Sequence, residues 1–74
     1  MSEFGAVLFH TTSSALRAEK VLQRAGLTVK LIPTPREFSS DCGMALRFPW
    51  ASAEEVRAAL DTARVDVADI RQMN

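Results

Sequence analysis

The sequence predicts an α+β fold with element order βαββαβ, and three observations carry that prediction. Two stretches, Ala15 to Ala25 and Ala53 to Ala63, repeat apolar residues at helical spacing. Short apolar or alternating runs precede, separate and follow them. Gly26, Pro33 and Pro35 punctuate the chain between these segments.

Ala6 to Phe9 is a brief apolar run of strand type, and the polar cluster from His10 to Ser14 behind it carries residues that helices prefer at their N-caps. Ala15, Ala18, Leu22 and Ala25, with Val21 alongside, then share one side of a helical wheel. Gly26 ends this helix as a left-handed residue past the cap, and Leu27 stands where the accompanying apolar contact is made. Thr28 to Ile32 reads as a second strand, stopped by Pro33 and Pro35 because proline cannot donate to a ladder. A polar loop, Pro33 to Asp41, leads to Cys42. Gly43 to Phe48 is a third strand with Met44, Leu46 and Phe48 on one face and Ala45 and Arg47 on the other.

Ser52-Ala-Glu-Glu55 has the form of a capping box and starts the second helix. Ala53, Val56, Ala59 or Leu60, and Ala63 form its buried stripe, and Val65 to Met73 holds a weaker fourth strand through Val67 or the pair Ala68 and Ile70. Short connections and right-handed crossovers then favour a four-stranded antiparallel sheet with both helices on one face, the ferredoxin-like split βαβ layout. In that layout Trp50 anchors the entry to the second helix. The open sheet face presents Lys30, Arg47, and Asp69 or Arg71, compatible with a monomer or a weak homodimer.

Seventy-four residues make room for one domain, spanning 1–74, and a chain of this size buries only about 60% of the surface its unfolded form exposes. Nine basic residues balance nine acidic ones, so no net field draws in nucleic acid or an anionic membrane. The strands also lack an aromatic pair on the open face for stacking bases, since Phe48 falls with the core residues. No apolar run is long enough to span a bilayer, and the opening residues lack the pattern of a signal peptide. The expected compartment is the cytosol, where a lone cysteine is at home.

That single cysteine is the chemical focus. In the predicted topology the His10–Ser14 turn and the Pro33–Cys42 loop emerge at the same end of the sheet. The first helix also places its N-terminal amides there, including those of Ser13 and Ser14. If the strand register runs back through Gly43, Cys42 shares the parity of Met44 and Leu46, which aims its sulfur toward the helices. A thiolate is the reactive form, favoured by a helix N-terminus or a nearby arginine. Arg36 and Arg47 are the candidate cations, with Asp41 and Glu37 opposing them. Ser39 and Ser40 supply hydroxyls for a thiolate, a persulfide or a small oxyanion, beside a backbone left open at Gly43. The expectation is an accessible thiol at the rim. One histidine, His10, and one cysteine fall short of a zinc ligand set, and no second cysteine is present to resolve an adduct as an internal disulfide.

The run Ala15-Leu-Arg-Ala-Glu-Lys20, Gly26, Leu31-Ile-Pro-Thr-Pro-Arg36, Ser39-Ser-Asp-Cys-Gly43 and Ala45-Leu-Arg47 resembles the selenium/sulfur carrier protein-like family. The resemblance covers about half the chain and is most specific in the cysteine loop. It implies a cytosolic carrier rather than a stand-alone enzyme, holding sulfur or selenium as a persulfide-type adduct on Cys42 and needing no other cofactor. Its partners would be a desulfurase-type donor and a selenium or sulfur acceptor protein. The alternative is a non-enzymatic ligand-binding or regulatory module of the same fold, in which Pro33 to Gly43 is a ligand loop and Cys42 only fills space.

Overall fold

A computed structural model describes residues 3–38 and 42–73. The elements run β1 (Phe4–Leu8), α1 (Thr12–Arg24), β2 (Lys30–Pro33), β3 (Met44–Pro49), α2 (Ala53–Thr62) and β4 (Asp69–Gln72), with a 3-10 turn at Trp50–Ser52. The sheet order is β2-β3-β1-β4, every pairing is antiparallel, and the arrangement is the ferredoxin-like one. The helices pack on one face, because one parity of each strand is apolar there: Val7 and Phe9 with Leu46 and Phe48 meet Ala15, Ala18 and Leu22 of α1 and Val56 and Leu60 of α2.

Local chemistry sets the ends of α1. Thr11 has extended backbone at φ −138° and ψ 153°, and its hydroxyl oxygen accepts the Ser14 amide at 3.1 Å. At the other end Gly26 takes φ +81°, its N–H reaches the Gln23 carbonyl, and the Leu27 N–H reaches the Leu22 carbonyl, both at 3.0 Å. Leu27 then packs on the core. Ala25, expected in the buried stripe, is instead the exposed C-cap, since the chain turns there before completing another helical turn.

α2 closes with the same pattern on a different residue. Arg64 adopts φ +55°, its N–H donates to the Asp61 carbonyl, and the Val65 N–H donates to the Leu60 carbonyl, both at 3.0 Å. Arg17 of α1 donates to the Ala63 carbonyl at 2.8 Å and so ties the two helices at this point. The expected capping box does not form. The 3-10 turn delivers Ser52 at φ −96° and ψ 10°, outside the extended conformation a capping side chain needs, and Ser52 caps through its position alone. Glu54 and Glu55 still place negative charge in the first turn of α2.

Strand bounds differ from expectation. β1 runs Phe4–Leu8, starting two residues before the expected Ala6 and ending one before Phe9. Pro33 lies inside β2, paired with Met44, which an edge strand allows because the ring's missing donor costs no ladder bond there. β4 begins only at Asp69, so of the pair Ala68 and Ile70 only Ile70 lies in the strand, and neither Val67 nor Ala68 does. The open sheet face is also less bare than expected: Ala6, Leu8 and Ala45 are buried on it, with Ile32, Met73 and Phe38 of the cysteine loop packed over them. Among the described residues no helix is long and apolar enough to cross a membrane.

Candidate functional site

The strand register does run back through Gly43. Cys42 joins the helix-facing cluster with Leu46 and Phe48, and its sulfur sits where α1 begins. The Thr12 hydroxyl lies 3.8 Å from Sγ, and the Met44 N–H donates to Sγ at 3.5 Å. Thr34 fixes the backbone beneath: its hydroxyl donates to the Cys42 carbonyl at 2.9 Å and its N–H to the Gly43 carbonyl at 3.0 Å. Segments thirty residues apart in sequence therefore converge on one sulfur, as the topology requires.

The chemistry of this contact depends on the state of the sulfur. A neutral thiol can donate to the Thr12 oxygen; a thiolate or a persulfide anion can only accept, and Thr12 must then turn its proton toward it. Both states are served by one hydroxyl, while the Met44 N–H donates to either. The N-terminal end of α1 adds partial positive charge. Capping consumes the Ser14 amide, and the Ala15 amide bonds the Thr11 carbonyl at 3.3 Å, which leaves Thr12 and Ser13 as the uncapped amides of the first turn among the described residues.

The thiol is not open at the rim. Cys42 is 4% exposed, against the expectation drawn from its polar sequence neighbours, because in space it lies against Thr12 and joins the core cluster between sheet and helices. Arg47 does not approach it either. Five residues further along, with the opposite parity, Arg47 stands on the open face with its guanidinium 4.5 Å from the centre of the Phe4 ring. Arg36 and Gly43 are exposed, Ser13 is exposed, and Ser14 is half-buried with its hydroxyl oxygen accepting from Thr11 at 3.1 Å. Ser39, Ser40 and Asp41 lie outside the described residues. The two residues that the sequence reading missed are Thr12 and Thr34. Helical phase points to Thr12, which sits three positions before the buried Ala15, whereas Ser13 falls on the opposite side of the wheel. Nothing local marks Thr34. Among the described residues no group of three or more histidine, cysteine or acidic side chains is placed to hold a metal ion.

The fold and the site together define a small ferredoxin-like domain with one guarded cysteine at a helix N-terminus. Residues 4–72 match the family described as "Putative Se/S carrier protein-like", and the chain belongs to that family. It is also similar to the uncharacterized protein YtiA of Escherichia coli strain K12, with 33% identity over 57 residues, 77% of this chain and 66% of that protein. The chain thus matches slightly less than two thirds of that relative's length. No solved structure gives a significant match.

Proposed function

We propose that this protein carries sulfur or selenium as a persulfide-type adduct on Cys42 and passes it between a donor and an acceptor protein in a reducing compartment. Family membership supports the reading. The observation that carries it is the seating of Sγ against the Thr12 hydroxyl and the Met44 N–H at the start of α1. In loading, the Cys42 thiolate attacks the outer sulfur of a donor persulfide, forming the new sulfur–sulfur bond and releasing the donor as its thiolate. In unloading, an acceptor nucleophile takes that outer atom and Cys42 leaves as thiolate. Neither step consumes an oxidant. Thr12 and Met44 hold the anion in both, Arg36 contributes from the exposed loop, and Ser39 and Ser40 enter from sequence alone.

Burial of the thiol favours a second reading, a binding module with a structural cysteine. One experiment separates them. The native protein is incubated with a desulfurase-type donor or a small-molecule persulfide and its intact mass is recorded, in parallel with alkylation in buffer and in denaturant. The carrier reading expects a gain of one sulfur that is absent in Cys42→Ser and shorter-lived in Thr12→Val. A thiol that alkylates readily in the native state yet gains no sulfur overturns it; one that reacts only in denaturant establishes the structural role.

A further inference from the structure

The open face of the sheet carries a feature unrelated to the thiol. Lys30 of β2 lies opposite Arg47 of β3, Arg47 opposite Ala6 of β1, and Ala6 opposite Arg71 of β4. Four side chains of one parity therefore make a row straight across the sheet, and three of them are cations. With neighbouring strands about 4.8 Å apart, the row is about 14 Å long. Like charges at directly opposed positions destabilise a sheet, and Lys30 and Arg47 are such a pair.

Little on the same face offsets them. Asp69, one row away, lies 3.5 Å from Arg71, and among the described residues neither Lys30 nor Arg47 forms an ion pair. Each arginine also lies over a ring, Arg47 at 4.5 Å from the Phe4 centroid and Arg71 at 5.5 Å from that of Phe38. Ala6, fully buried between the arginines, lies beneath covering side chains and adds no charge to the row. Glu54, Glu55 and Asp61, which help bring the chain to neutrality, belong to α2 in the layer behind the sheet.

We propose that this face binds single-stranded RNA. Phosphates meet the cation row, while bases stack on the outer guanidinium planes, which the phenylalanine rings beneath hold flat. An acidic polypeptide would answer the charge but not the stacked guanidinium planes. The sequence argument against base stacking looked for an aromatic pair in the strands and began the first strand at Ala6; β1 starts at Phe4 and Phe38 comes from the loop, so both escaped it.

The test is fluorescence anisotropy with a labelled, mixed-sequence RNA of about ten nucleotides over a range of salt. Single-stranded binding should lose affinity with a log–log salt slope of about −0.7 per phosphate contacted, so about −2 for three cations. Lys30→Gln, Arg47→Gln and Arg71→Gln should each reduce that slope by about 0.7, and the triple variant should not bind. Arg47→Lys should keep the slope, which separates lost charge from damaged folding, and circular dichroism checks each variant. Phe4→Leu should weaken binding at an unchanged slope. Cys42→Ser should bind like the parent, so failure here leaves the carrier reading untouched. Absence of binding at low salt, or unaltered binding by the triple variant, overturns the proposal. So does poly-glutamate competing as well as RNA, which would assign the row to an acidic protein.

Discussion

The two faces of one sheet have been put to different uses. The helix-facing side holds Val7, Phe9, Leu46 and Phe48 against both helices, all at 1% exposure or less. Among the described residues the open side buries only Ala6, Leu8 and Ala45, two of them alanines, beneath a few partly exposed covers. Alternation in the strands makes this possible, since each step along the backbone changes the face. The lesson is that in so short a chain stability is concentrated on one side, which frees the other to hold unbalanced charge.

The largest test of that contrast is Phe48→Ala. The ring is 1% exposed and stacks on Trp50 with centroids 5.9 Å apart, so its removal should cost about 3–5 kcal/mol. That is most of the stability such a domain has, and urea titration at 25 °C should show the variant substantially unfolded. Phe38→Ala on the open face should cost about 1–2 kcal/mol, through lost half-buried area and the Arg71 contact. Equal losses for the two would erase the distinction between the faces. The smallest effect is a gain, found where the two helices end in one motif built on Gly26 and on Arg64. A side chain at φ +55° is strained, so Arg64→Gly should raise stability by about 0.5–1 kcal/mol, read as a higher urea midpoint, with part of the relief offset by added freedom in the unfolded chain.

Much of the architecture was legible because it rests on periodicity and on residues whose backbone preferences are strong. Gly26 announced its left-handed turn, the His10–Ser14 cluster contained the cap, and the parity of Met44, Leu46 and Phe48 carried back to Cys42. Arg64 gave no such notice, since a left-handed arginine is tolerated only when the surrounding packing enforces it. Ser52 misled because a capping box presumes an extended approach, and the 3-10 turn withholds one. At the site, topology brought the two turns together correctly. The burial of Cys42 was not legible, because polar neighbours along the chain say little about which side chains close over a sulfur from thirty residues away. Phe38 escaped for the same reason: where a loop side chain lands is a tertiary matter.

Gly5 has a further consequence. A Cβ there would come within 2.5 Å of the Trp50 ring, so the indole rests directly on the β1 backbone. Trp50 is the chain's single tryptophan, and there is no tyrosine. Its emission therefore reports from one spot, at the opposite end of β3 from Cys42, and a single fluorophore follows the unfolding of the whole domain without a label.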